Sequence, residues 1–250
     1  MDQDIKVKSL YKALNILDLF IADKELGVTE ISDALGLYKS NVHSILDTFR
    51  KCGYLEKNDQ TERYRLGLKI FELSKSLGDS FDIRQISLPF MQEISNEIKE
   101  RVYLAIPNED EVLYLEATYP AGEFSLMRTI IGERAKMYCT GIGKAMLANL
   151  PDDIKNEYIS RELIPFTENT ITDQAVLLKE LDKIKRQGYA VDNMEHEYGV
   201  KCVAVPLLDK YGRLCGGLSA SGPSLRFKNG RIQEIANILK NHAAMIENRL

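Results

Sequence analysis

Tryptophan is missing altogether, and only three histidines and four cysteines occur in 250 residues. The cysteines (Cys52, Cys139, Cys202 and Cys215) lie far apart with no C-x-x-C pair, a distribution that reads as reduced thiols in a cytoplasmic protein. No run of eighteen apolar residues exists, so no membrane-spanning helix is expected. The start, Met1 to Lys8, is charged and has no apolar core of the secretory kind. Catalytic signatures are scarce: H-E-x-x-H, G-x-S-x-G and the phosphate loop are all absent. An excess of positive charge is lacking too. The chain carries 33 Lys+Arg against 37 Asp+Glu, a net of −4, and residues 1–80 alone carry 12 against 13, a net of −1. That balance argues against a non-specific nucleic-acid coat.

What is present is a soluble composition, 44% hydrophobic and 28% charged, with length enough for two modest domains and no internal repeats. Between Val28 and Lys57 the chain spells a short helix, a tight turn and a second helix. Thr29 can cap the first helix through its hydroxyl, and Ile31, Ala34 and Leu35 give it an inward face. Gly36 and Leu37 end it in a sharp turn. The second helix starts near Lys39 and buries Val42, Ile45, Leu46 and Phe49. Its other face offers Lys39, Ser40, Asn41, His43, Ser44, Thr48, Arg50 and Lys51, side chains suited to phosphates and base edges. Upstream, Leu10, Ala13, Leu14, Leu17 and Phe20-Ile21 form an apolar stripe that supplies a first helix. Downstream, Tyr54–Lys57 and Arg63–Leu66 flank the turn-rich Asn58–Thr61 and predict a hairpin whose Arg63 and Arg65 share one face. The unit reads as a winged helix-turn-helix that takes double-stranded DNA. Its affinity must come from a local patch (Lys39, Arg50, Lys51, Arg63, Arg65) and from the use of two copies.

Leu68, Phe71, Leu73 and Leu77 predict an amphipathic linker helix ending at Gly78, suited to dimerisation, and Ile83–Ile98 a helix interrupted or kinked near Pro89. From Arg101 the period becomes extended: Val102–Ile106, Val112–Thr118 and Phe124–Ile131 are strand-like. Helices follow over Thr140–Leu150, from Pro151, and over Asp173–Gln187. Gly188 opens a strand to Met194, then come the strands Cys202–Leu208 and Arg213–Ser221 about a turn at Asp209–Gly212, and a last helix from about Lys228 to Arg249. An antiparallel sheet flanked by helices, an α+β unit, is expected.

Within that unit, Gly141-Ile142-Gly143-Lys144 is a fragment of a phosphate loop without its flanking signals. It reads as a helix start needing close backbone approach, with N–H groups that suit a carboxylate. Ser219 and Ser221 point to one face of their strand and Ala220 to the other, so the serines face solvent or line a polar pocket. Cys202 is either a small buried hydrophobe or, with His196 as its base, a nucleophile or redox sensor. Asp192, Glu195, His196 and Glu197 are either solvated or metal ligands.

The run KSNVHSILDTFRKCGYL followed by YRLGLKIFEL, together with Gly188, Asp192, Glu195, Cys202, Val203, Ala204, Leu207 and Asp209 at their spacing, resembles the IclR family of bacterial transcriptional regulators, over nearly the whole chain. Leu208 departs from the aromatic or histidine usual before that last aspartate. The resemblance implies a winged helix-turn-helix over 1–66, a linker helix over 67–80 and a GAF-like effector-binding domain over 81–250. It implies a non-catalytic, cofactor-free regulator, read as a repressor, that forms a homodimer and a dimer of dimers. The effector would be a small organic, sugar or aromatic acid. Carried over by position, Asp192, Cys202, Ser219 and Ser221 would make its polar contacts, with Met127, Gly141 and Ile142 lining the rest.

Overall fold

The structure, a computed structural model, describes residues 5–78, 82–122 and 130–250. The chain divides into two compact units, Met1–Ser80 and Phe81–Leu250. The first contains α1 (Lys8–Ala22), α2 (Val28–Leu35), α3 (Lys39–Lys51), a hairpin of β1 (Leu55–Lys57) and β2 (Tyr64–Leu66), and α4 (Leu68–Gly78). Its core is Ile16, Phe20, Leu26, Ile31, Val42, Leu46, Leu55 and Tyr64. Gly36 adopts φ +63 at the end of α2, the left-handed turn that lets α3 cross back over it.

Three expectations are corrected in this unit. The residue capping α2 is Gly27, not Thr29, and the backbone N–H of Gly27 is taken by the Glu30 carboxylate at 2.7 Å. Thr29 is the second residue of the helix and is exposed, as is Ala34. In α1 the buried residues are Ile16 and Phe20, one turn apart, whereas Leu10, Leu14 and Ile21 are 56%, 48% and 73% exposed. The helix carries two apolar stripes and the small core accommodates only one. The second stripe, Val7, Leu10, Leu14, Leu17 and Ile21, repeats at alternating steps of three and four, and of these only Leu17 packs against the core. Leu68, Phe71 and Leu73 of α4 are exposed as well.

The second unit is a six-stranded antiparallel sheet, β5 (Arg134–Lys136), β4 (Glu111–Thr118), β3 (Arg101–Asn108), β8 (Leu214–Pro223), β7 (Val200–Leu208) and β6 (Ala190–Asn193) in spatial order. Alternation along each strand separates two cores. Val102, Leu104, Val203, Val205, Leu218 and Ala220 face α5 (Asp82–Ile98) and α9 (Asn229–Glu247). Tyr103, Ala105 and Ala204 face the other layer, α6 (Gly141–Leu147), α7 (Asp152–Ile159) and α8 (Gln174–Gln187). The helix α5 runs uninterrupted through Pro89, whose missing N–H removes one internal bond without ending it. Gly188 does not open a strand: at φ +77 it terminates α8, and β6 begins at Ala190. Of the expected strand Phe124–Ile131, residues 124–129 lie outside the described residues, and Ile130 and Ile131 are not extended strand. The short strand β5 was not anticipated.

α6 is held very close to the 3₁₀ turn Met137–Cys139 that precedes it. A Cβ on Gly143 would lie 2.4 Å from the Met137 Cα and 2.5 Å from its carbonyl oxygen, both backbone atoms that cannot swing away. Gly143→Ala should therefore lower stability by roughly 1–3 kcal/mol, the cost of overpacking a well-packed core. Gly230→Ala, where a Cβ meets nothing within 4 Å, should be neutral or slightly stabilising in the same urea titration. Equal effects from the two changes would contradict this packing.

Candidate functional site: a DNA-reading face and an effector cavity

On α3 the buried line Val42–Leu46 leaves Lys39, Ser40, Asn41, His43, Ser44 and Arg50 exposed. The Ser44 hydroxyl donates to the Ser40 carbonyl at 3.0 Å and Thr48 to the Ser44 carbonyl at 2.8 Å, so both present lone pairs outward. One cleft of about 370 Å³ brings His43 together with Thr29, Glu30, Lys57, Glu62 and Arg63. The arginines are already engaged. Arg63 donates to the Glu25 carbonyl at 2.8 Å and pairs with Glu30 at 2.9 Å, and Arg65 pairs with Glu56 at 2.9 Å. Arg50 pairs with Asp47 at 2.9 Å. The expected wing geometry is present, but its cations are tied to neighbouring carboxylates.

In the second unit the sheet register builds the site. Asp192 on β6 lies opposite Cys202 on β7, Cys202 opposite Ser221 on β8, and Ser221 opposite Arg101 on β3. One row thus crosses four strands, all on the face away from the α5/α9 core. The adjacent row contributes Tyr103 and Ser219, again directly paired. The backbone of α6 closes the space above: Gly141 sits against Cys202 and Asp192, with a Cβ position only 3.3 Å from the Cys202 Cβ. The result is a cavity of about 440 Å³ lined by Arg101, Tyr103, Tyr114, Ile130, Glu133, Arg134, Ala135, Thr140, Gly141, Ile142, Asp192, His196, Glu197, Val200, Cys202, Ser219 and Ser221. Six of the seven residues expected at an effector site meet here. The seventh, Met127, lies outside the described residues.

Arg101, Tyr103, Tyr114 and Thr140 were not anticipated. The signal for Arg101 and Tyr103 was available in principle, since they alternate on the start of β3, but only the pairing of β3 with β8 shows which face they share with the serines. Arg101 donates to the Tyr103 hydroxyl at 3.0 Å and lies 5.0 Å from the centre of the Tyr119 ring.

Two titratable expectations resolve differently. Cys202 donates its thiol to Ser221 Oγ at 3.2 Å, and burial pushes the thiol well above its usual range. The His196 ring is not its base: Nδ1 lies 3.7 Å from the Cys139 sulfur, and burial lowers its pKa. No activated thiolate results. The carboxylates beyond Asp192 also diverge. Glu195 turns into the interior and pairs with Lys144 of α6, both side chains being nearly sealed from solvent, while Lys144 also donates to the Val191 carbonyl at 2.9 Å. Among the described residues no three His, Cys or acidic groups converge to hold a metal ion.

Asp192 accepts the backbone N–H of Glu195 at 2.7 Å, yet burial raises its pKa to about 7, and the Glu195 charge nearby adds to that rise. Its pKa is above the ordinary 3.8, so the folded state binds a proton that the unfolded state releases. The associated stability is complete below pH 4 and is lost as pH rises towards 7. Asp192→Asn keeps the acceptor and removes the titration. The stability of the wild type relative to this variant should therefore fall between pH 4 and 7, by at most roughly 4 kcal/mol at about 1.4 kcal/mol per pK unit. Chemical denaturation at several pH values measures it, and a pH-independent difference would contradict a protonated Asp192.

Comparison with known proteins agrees with this architecture. The model of the bacterial transcriptional regulator IclR C-terminal domain matches residues 76–248, and that of the IclR helix-turn-helix domain matches residues 9–59. The HTH-type transcriptional regulator KdgR of Escherichia coli is 36% identical over 248 residues, covering 98% of this chain and 93% of KdgR. The crystal structure of IclR from Thermotoga maritima superposes with a TM-score of 0.81 at 32% identity, over 97% of this chain and 98% of that one. An IclR homologue from Microbacterium hydrocarbonoxydans, crystallised with 4-hydroxybenzoate, gives a TM-score of 0.85 at 26% identity, over 96% and 98%. With both family models matched in chain order, this chain belongs to the IclR family of bacterial transcriptional regulators.

Proposed function

We propose that the chain is a repressor that binds operator DNA through α3 and the β1–β2 wing and releases it when a small organic acid fills the cavity of the second unit. The observation that carries the sensing half is the cavity itself, where Asp192, Cys202, Ser219 and Ser221 come together under α6. Hydroxyls and a thiol, with Arg101 across from Ser221 at one end of the row and Asp192 at the other, suit a ligand bearing a carboxylate and further polar groups. The homologue crystallised with 4-hydroxybenzoate supports the idea that this fold encloses small acids. The role in this reading is binding: the Cys202 thiol donates to Ser221 and is raised by burial, which suits a contact and not a nucleophile.

In this reading residues 1–66 read DNA, 67–80 link and 81–250 sense. Lys39, Ser40, Asn41, His43 and Ser44 contact bases or phosphates, with Thr29, Arg50, Arg63 and Arg65 at the flanks. The protein works in the cytoplasm; among the described residues no helix is long and apolar enough to cross a membrane. It acts as a homodimer, and further as a dimer of dimers, because a unit with a net charge of −1 needs two half-sites for useful affinity. The exposed stripe of α1, with its alternating steps of three and four, is the pattern of a two-helix seam.

Two measurements test these halves separately. In a thermal-shift screen of organic, sugar and aromatic acids, a true effector at a hundred times its Kd should add about 2.7 kcal/mol of stability. Ser219→Ala and Ser221→Ala should each remove most of that gain, and a panel without a selective hit would contradict the sensing role. For the dimer, light scattering should give at least twice the 28.4 kDa chain mass. The double change Leu10→Asp with Leu14→Asp should halve it and abolish operator binding, whereas an unchanged mass would exclude α1 as the seam.

A further inference from the structure

The DNA-reading unit is unusual in how its cations are spent. Asp47 stands on the solvent face of α3, one turn beyond His43 and Ser44, and holds Arg50 at 2.9 Å and Lys51 at 2.7 Å. Glu30, at the start of α2, holds Arg63 at 2.9 Å within the cleft that also contains His43. On the wing, Glu56 takes Arg65 at 2.9 Å and Glu62 takes Lys57. Of the patch from which phosphate affinity was expected, only Lys39 has no carboxylate beside it among the described residues.

We propose that Glu30, Asp47, Glu56 and Glu62 are specificity-determining residues, which compete with DNA phosphates for the same cations and so suppress binding to non-operator DNA. Sequence-independent binding rests almost wholly on phosphate contacts and the counterions they release. A cation already paired to a carboxylate gains little from a phosphate, since one ion pair is exchanged for another. Operator binding adds base-edge contacts from Ser40, Asn41 and His43, side chains that do not depend on those cations. The intramolecular pairs therefore lower both kinds of affinity, and because non-specific binding has no other contacts they take a larger share of its binding free energy, so that it drops below useful strength first. Asp47 is held as an anion, at about 2, by Lys51 and Arg50, so its own hold on them persists at neutral pH.

This inference rests on the DNA-binding reading and is tested beside it. The probes are a fluorescein-labelled random-sequence 30-bp duplex and a duplex selected by the full-length protein from a random pool. They are titrated from 50 to 200 mM NaCl with the wild type and the quadruple variant Glu30→Gln, Asp47→Asn, Glu56→Gln, Glu62→Gln. Gln and Asn retain acceptors for the Gly27 N–H and the arginines, and circular dichroism with a melting curve verifies folding. Single Glu56→Gln and Glu62→Gln variants, remote from the helix caps, serve if the quadruple variant fails to fold.

The expected result is that random-duplex affinity rises by roughly tenfold or more at 100 mM NaCl. The slope of log K against log salt should steepen by about 0.9 for each cation engaged. Selected-duplex affinity should rise too, by no more than the random-duplex affinity does. A folded variant with unchanged random-duplex affinity and slope overturns the inference alone. A wild type that binds neither duplex overturns the DNA-binding reading and the inference with it.

Discussion

The antiparallel register of β6, β7, β8 and β3 is the constraint on which the sensing unit depends. A shift of one residue in any of these pairings would send every side chain on that strand to the opposite face. Asp192, Cys202, Ser221 and Arg101 would then no longer form one row, and the α5/α9 core would lose Val203, Leu218 or Val102. The apolar residues thus specify the position of the polar ones. Burying Leu218 and Ala220 towards α9 leaves Ser219 and Ser221 only the other face, and the absence of a side chain at Gly141 lets α6 lie close against that face.

Lys144 and Glu195 are tolerated inside the unit because they pair with each other. Lys144 and Glu195 would each be costly to bury alone, yet together they join α6 to the turn after β6, and Thr167 and Thr170 donate to the Met194 and Glu195 carbonyls of the same turn. That turn contributes His196 and Glu197 to the cavity, next to Asp192 on β6. The two cavity walls are therefore tied by a buried ion pair, and burial raises the Asp192 pKa to about 7. Electrostatics works differently in the DNA-reading unit. Its ion pairs are on the surface, contribute little to stability, and matter for what they withhold from DNA.

Much of this was legible in the sequence because it follows from local pattern. The helix–turn–helix came from Val42, Leu46 and Gly36, and the shared face of Ser219 and Ser221 from simple alternation. Family resemblance then drew Asp192 and Cys202 into one site across ten residues. What was not legible depended on tertiary choice. α1 offers two apolar stripes and only contact with α2 and α3 decides that Ile16 and Phe20 face inward. Thr29 has the chemistry of a cap, but Glu30 reaches back to Gly27 first. The arginines of the wing alternate as expected, yet their carboxylate partners, Glu30 on α2 and Glu56 on β1, are set by packing. Arg101 and Tyr103 needed the β3–β8 pairing, a contact more than a hundred residues apart in sequence.

The account holds that one ligand in the cavity changes affinity for DNA, and linkage makes this measurable from both sides. The most direct test is the Kd for the selected duplex with and without the acid found to stabilise the protein, paired with the Kd for that acid with and without duplex. Operator affinity should change by a definite factor, acid affinity should change by the same factor, and both effects should vanish in Ser219→Ala. An acid that binds the cavity tightly while leaving DNA affinity untouched would contradict the account.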